Sequence, residues 1–166
     1  MSVNFSKAEC QDNSGNKLFG LCDDRPGQRA YLNEDDGSKW IAVVVNDDRY
    51  ETTFTAVDHC IDLKSDDGKM AKRCDGFLSY NSTVIFVELK ERDALGNAWV
   101  TDGEKQLRTS LDFFEAEEYS EQFTVKKAYI ANSEHPKFKV SQLRRMEQFL
   151  DDTGFVLRIE NRIILQ

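Results

Sequence analysis

Proline and histidine are almost missing from this chain, with two of each in 166 residues. So few prolines, with charges spread along the chain instead of gathered in a tail, exclude a long disordered or linker-like segment on compositional grounds. No apolar run reaches the length of a membrane span. The opening "MSVNFSKAECQDNSGNK" lacks a basic start followed by an apolar stretch, so a cytoplasmic protein without a membrane partner is expected. Basic charge is also short: 22 Lys and Arg stand against 30 Asp and Glu, a net charge of -8. Tight, non-specific binding of nucleic acid rests on cationic neutralisation of phosphates, so any phosphate-binding surface on this acidic protein must be local.

Cysteine is present but unpatterned. Cys10, Cys22, Cys60 and Cys74 share no CxxC spacing, and with only His59 and His135 to add, a zinc site has weak support. Buried free thiols are expected. Cys60 and Cys74, on neighbouring predicted strands, are a conceivable disulfide pair, but a chain without an export signal keeps its thiols reduced.

What is there is enough for one compact domain over residues 1–166, since 40% of the residues are hydrophobic. "KLFGLCDD", "QRAYLN" and "WIAVVVN" are short apolar runs parted by turn residues, which predicts a β-rich N-terminal third. "YETTFTAVDHCIDL", "RCDGFLSY" and "TVIFVELK" are rich in β-branched and aromatic residues and predict an antiparallel meander, the last two joined by a tight turn at Asn81 and Ser82. After a loop following Lys90, Leu107, Leu111 and Phe114 recur at helical spacing and predict a helix over residues 104–118, capped by Thr101 or Asp102. "FTVKKAYIAN" is a further strand. A second helix begins at Ser141, carries Leu143, Met146 and Leu150 as its apolar stripe, and stops at Gly154. "FVLRIENRIILQ" closes the chain as a hairpin or two short strands. The order predicts an α/β (α+β) fold, a central mixed sheet with an antiparallel meander flanked by helices.

The most apolar strand ends in opposite charges. Alternation along "TVIFVELK" puts Phe86, Glu88 and Lys90 on one face, and pairing with the preceding strand brings Asp75 close to their level. Two carboxylates suit a hard cation such as Mg²⁺, which polarises a phosphate and lowers the pKa of an attacking water. A neighbouring lysine can orient that water or offset transition-state charge. An acid-x-Lys triplet alone carries nothing: Asp62-Leu63-Lys64 and Asp67-Gly68-Lys69 have the same spacing in a polar turn. What sets Glu88-Leu89-Lys90 apart is its place at the end of an apolar strand. The alternative is an ordinary Glu-Lys ion pair that solvates a sheet end.

"CDGFL", then "IFVELK", then a helix bearing "EKQL", resembles the PD-(D/E)xK nuclease superfamily with its restriction-endonuclease-like fold, over about residues 57–114. The resemblance implies a Mg²⁺- or Mn²⁺-dependent nuclease acting on DNA in preference to RNA. By it, Asp75 and Glu88 bind metal, the Leu89 carbonyl is a further ligand, Lys90 serves catalysis and Gln106 positions the lysine or substrate. Dimerisation, frequent in that superfamily, would be one way to a larger basic groove. The residue before Asp75 is Cys74 instead of the family proline, and neither Glu9 nor Glu51 is a convincing counterpart of the family's upstream glutamate. A first helix, if present, is limited to about residues 3–10.

Asp58, on the preceding predicted strand, is a further candidate ligand, with an ion pair to Arg73 or Lys72 as its alternative. His59 points to the opposite face of a regular strand and reads as structural or surface. Cys60 with His135 forms no local nucleophile pattern. Lys126/Lys127, Lys137/Lys139 and Arg144/Arg145 would supply phosphate contacts if they surround Asp75, and Trp99, in the loop after Lys90, is placed for stacking or a lid. Beside a nuclease stand two other readings: a catalytically silent nuclease-fold interaction module in a defence, mobile-element or repair assembly, and an unrelated α+β binding protein.

Overall fold

The computed structural model describes residues 2–24, 26–91, 98–134 and 142–166. Its centre is a six-stranded sheet in the order β1 (Gln11–Ser14), β5 (Thr52–Ala56), β6 (Gly76–Tyr80), β7 (Thr83–Lys90), β8 (Val125–Asn132) and β9 (Val156–Ile159). The meander β5, β6 and β7 is antiparallel, as is β1 against β5, whereas β8 and β9 join in parallel. Parallel neighbours need crossovers, and the helices α1 (Ala98–Glu115) and α2 (Leu143–Thr153) lie within them.

Every residue of β7 is buried, because both faces of the sheet are covered. Val84 and Phe86 turn to one face, where Phe77, Leu107, Leu111, Phe114 of α1 and Phe149 of α2 form one core. The Phe86 ring stacks on Phe77 at 4.9 Å and meets Phe114 edge-on, also at 4.9 Å. Ile85, Val87 and Leu89 turn to the other face. There a second sheet, ordered β10 (Arg162–Ile164), β4 (Ala42–Val45), β2 (Leu18–Cys22) and β3 (Tyr31–Asn33), contributes Phe19, Leu21 and Val44. The architecture is the expected mixed sheet with flanking helices and a β-rich N-terminal decoration. The decoration takes the face opposite the helices, and the layers run helix, sheet, sheet. No helix among the described residues is long and apolar enough to cross a membrane.

Several expectations need correction. The first long helix starts at Ala98, not near residue 104, because Trp99, Val100 and Gly103 extend the buried stripe backwards. A Cβ on Gly103 would lie 3.1 Å from Ile130, so this glycine lets the helix approach β8 closely. Trp99 is therefore 1% exposed in the core, not on a loop. The residue of α2 in the core is Phe149. Leu143 and Leu150 are 59% and 44% exposed, and Met146 is only partly buried. Gly154 ends that helix at φ 78°, its N–H donating to the Leu150 carbonyl. The expected N-terminal helix shrinks to one short turn at Ala8–Cys10.

The chain end forms two strands in different sheets, with β10 parallel to β4. Cys60 is disulfide-bonded, and to Cys10 instead of Cys74, because β5 ends at Ala56 and the chain turns over residues 57–61, carrying Cys60 towards the N-terminal segment. Cys22 and Cys74 are buried free thiols. His135, Lys137, Lys139 and Ser141 lie outside the described residues.

Candidate metal site at the end of the central strand

Asp75 directly precedes β6, and the register of Gly76 opposite Val87 brings it to the level of Glu88. The chain is held there on three sides. Val57 N–H donates to the Asp75 carbonyl at 2.9 Å, and Leu89 N–H donates to Asp75 Oδ2 at 2.6 Å. Cys74 N–H donates to Ser110 Oγ of α1 at 2.8 Å. A proline in place of Cys74 would lack that N–H and lose the bond to Ser110. Gly76 permits the close packing: a Cβ there would sit 2.5 Å from both the Phe54 ring and the Thr55 carbonyl oxygen.

Glu88 and Lys90 share the face of β7 that looks towards α1. Lys90 Nζ lies 3.3 Å from Glu88 Oε2 and donates to Gln106 Oε1 at 2.9 Å. Gln106 and Ser110 are one helical turn apart, so one face of α1 grips both ends of the site. The Asp75 and Glu88 carboxyls line the same cavity and are close enough to act on each other's ionisation. Burial raises both pKa values. For Glu88 the neighbouring Asp75 charge adds to the rise, carrying it well above the usual carboxylate range. Side-chain exposure of Glu88 is 2% and of Lys90 10%, which is not the profile of an ion pair solvating a sheet end.

A cavity of about 360 Å³ reaches this trio and is lined by Asp58, His59, Asp75, Glu88, Leu89, Lys90 and Gln106, together with Asp23, Asp24 and Pro26. Asp58 stands on the turn after β5, not on the strand itself, and is engaged by Arg73 Nη2 at 3.1 Å and His59 Nε2 at 3.4 Å. The same turn overturns the placement of His59, which lines the cavity at φ 62° instead of facing away. Asp23 is the residue the sequence reading missed. It follows β2 of the second sheet and reaches the cavity around the end of the first. Burial and the Asp75 and Asp58 charges push its carboxyl up to about 6. The one signal for it was an acid placed directly after an apolar strand, the signal that marked Glu88 and Lys90.

The two basic pairs among the described residues lie elsewhere. Lys126 and Lys127 are at the far end of β8 from Lys90, with Lys126 bonded to Glu115. Arg144 and Arg145 line a separate groove, where Arg145 pairs with Glu104.

Among the described residues no group of three or more His, Cys, Asp or Glu side chains is arranged to hold a metal ion. The donor set is two carboxylates lining one cavity and the main chain at Leu89. Two buried acids against one ammonium leave an excess of acidic groups that a divalent cation with oxygen ligands and retained waters would balance. Comparison with protein-family models, with curated proteins and with solved structures found no match.

Proposed function

We propose that this protein is a metal-dependent nuclease that hydrolyses phosphodiester bonds in DNA and belongs to the PD-(D/E)xK superfamily. The observation that carries the reading is the burial of Asp75, Glu88 and Lys90 together at one cavity, with Lys90 Nζ 3.3 Å from Glu88 Oε2 and Leu89 N–H donating to Asp75 Oδ2. The fold is compatible with a nuclease-like scaffold. Asp75 and Glu88 would hold Mg²⁺ or Mn²⁺, with the Leu89 carbonyl as a further oxygen and Asp58 as an additional acid at the cavity wall. The cation, when bound, polarises the phosphate and lowers the pKa of the attacking water.

The chain's own residues then divide the work. The Leu89 N–H fixes Asp75 Oδ2, so this carboxylate needs little reorganisation to bind. Lys90 places a positive charge beside the reacting phosphate and orients the water. Gln106 acts through Lys90 and is a positioning residue, holding the ammonium by its Oε1. The net charge of -8 favours a second reading, an interaction module that keeps the fold without turnover.

The test is cleavage of plasmid, linear and single-stranded DNA with Mg²⁺ or Mn²⁺, alongside cation binding by calorimetry. Cleavage by the wild type that is lost in both Asp75→Asn and Lys90→Ala supports the nuclease. Cleavage surviving both substitutions removes the site assignment, and a wild type that neither cleaves nor binds cation leaves the interaction module.

A further inference from the structure

The catalytic cavity does not end at Lys90. Asp58, Lys90 and Gln106 also line a second groove, of about 490 Å³, whose other walls are Met70, Ala71, Lys72, Arg73 and Asp102. The two spaces share three residues and differ in charge. The cavity around Asp75 carries the carboxylates of Asp23, Asp24, Asp58, Asp75 and Glu88 against the ammonium of Lys90. The groove carries three cations, Lys72, Arg73 and Lys90, against Asp58 and Asp102. In an acidic protein this is the local basic surface that a phosphate backbone requires.

The groove wall is a well-anchored arm. Residues 61–73 form a hairpin in which Ala71 N–H donates to the Leu63 carbonyl at 2.7 Å and Ser65 N–H to the Lys69 carbonyl at 2.9 Å. Lys64 and Met70 form an antiparallel bridge. Leu63 is fully buried and fixes the arm to the core. Arg73 is spent within the protein: its guanidinium holds Asp58 and donates to the Ile61 carbonyl at 3.4 Å. Lys72, by contrast, is exposed and has no hydrogen bond or ion pair among the described residues. Met70 beside it is 43% exposed, a soft apolar side chain at the rim of a polar groove.

We propose that this groove is the subsite for the DNA strand flanking the scissile phosphate, with Lys72 contacting the neighbouring phosphate and Met70 lying against its sugar or base. The strand leaves the carboxylates along the 61–73 hairpin and is kept off the opposite side by Asp23 and Asp24. The proposal rests on the nuclease reading, and it adds the direction in which substrate extends.

The test measures binding of a fluorescein-labelled 20-nucleotide single-stranded DNA by anisotropy over a salt series, in Glu88→Gln protein so that cleavage does not intervene. Lys72→Glu is expected to weaken binding about tenfold, and Lys72→Ala to lower the slope of log K against log salt by about 0.7, the share of one phosphate contact on a single strand. Lys69→Glu, on the same hairpin but outside the groove, controls for overall charge, and Asp24→Asn is expected to tighten binding. Equal losses in Lys72→Glu and Lys69→Glu, or no loss in Lys72→Glu, overturn the subsite while leaving the nuclease reading intact. Failure of the Glu88→Gln protein and the wild type to bind the DNA at any salt overturns the nuclease reading itself.

Discussion

Glu88-Leu89-Lys90 and Asp67-Gly68-Lys69 have the same charge spacing and lie about twenty residues apart, yet the fold treats them as different chemistry. The second triplet is exposed on a turn, where Asp67 Oδ1 accepts from Ser65 Oγ at 2.6 Å and from Lys69 N–H at 3.0 Å. Those bonds, the Ser65 hydroxyl first, hold the Asp67 carboxyl below its ordinary range. In the first triplet Glu88 and Lys90 are buried on the α1 face of the sheet at the head of a cavity, where burial drives Glu88 the other way. Water supplies the partners of an exposed charge, so the turn needs nothing from the fold. A charge withdrawn from water must be matched by the protein or by a ligand, and at β7 the protein alone matches it incompletely.

The largest effect that separates the two triplets is on turnover. If the protein is the proposed nuclease, Asp75→Asn removes a cation ligand and Lys90→Ala the charge beside the phosphate, and each is expected to lower cleavage by about a hundred- to a thousandfold, read as initial rates at saturating Mg²⁺. A loss of that size from a substitution in the exposed turn would break the contrast.

Next comes the packing that keeps Asp75 in place. Gly76→Ala forces a methyl into the Phe54 ring and the Thr55 carbonyl, neither of which is the free end of a flexible chain. Overpacking of this kind costs on the order of 1–3 kcal/mol and moves the strand that carries Asp75. Both the melting temperature and the cleavage rate are expected to fall. No equivalent strain exists at Gly68, which sits at φ 79° in open space and whose replacement strains only the turn.

A smaller effect tests the unmatched charge directly. Glu88 has a folded pKa above its unfolded value, so the metal-free folded protein keeps a proton that the unfolded chain releases. That contribution is complete below the usual glutamate range and is lost as pH rises through the folded value. Glu88→Gln removes the titration. Its metal-free melting temperature at alkaline pH is expected to exceed the wild type's by roughly 2–4 °C, the shift that about 1 kcal/mol makes in a domain of this size, with the difference shrinking towards acid pH. Mg²⁺ should raise the wild-type melting temperature and leave that of Glu88→Gln nearly unmoved. A Glu88→Gln protein less stable than wild type at every pH would mean that Lys90 fully balances Glu88.

The strands were readable because apolar patterning is a local property: the meander and the fully buried β7 stand in the sequence much as they stand in the sheet. Glu88 and Lys90 were readable for the same reason, since their shared face follows from strand period alone. What escaped depends on contacts between distant segments. Asp23 belongs to another sheet, and nothing in "LCDD" says that it turns towards Asp75. Thr101 and Asp102 have the chemistry of helix caps, but the burial of Trp99 against the core carries the helix past them. Asp58, His59 and Cys60 continue a β-rich composition, so the turn that brings the first two to the cavity and the third to Cys10 left no mark in residue type.

The smallest expected effect is the control on which the comparison depends. Asp67→Asn keeps a carbonyl oxygen that can still accept from Ser65 and the Lys69 N–H, and Lys69 is exposed, so the Asp67→Asn, Lys69→Ala double variant should melt within about 1–2 °C of wild type, as surface substitutions generally do. What it loses should appear at neutral pH and vanish in acid: Asp67 has a depressed pKa, and its contribution is present above the unfolded carboxylate range and disappears as pH falls through the folded value. Cleavage should stay within about twofold, because neither residue lines the cavity or the groove. The two triplets then differ in the sign of their pH dependence as well as in size. The buried one loses stability as pH rises and the exposed one as pH falls, which a single set of melting curves across pH resolves.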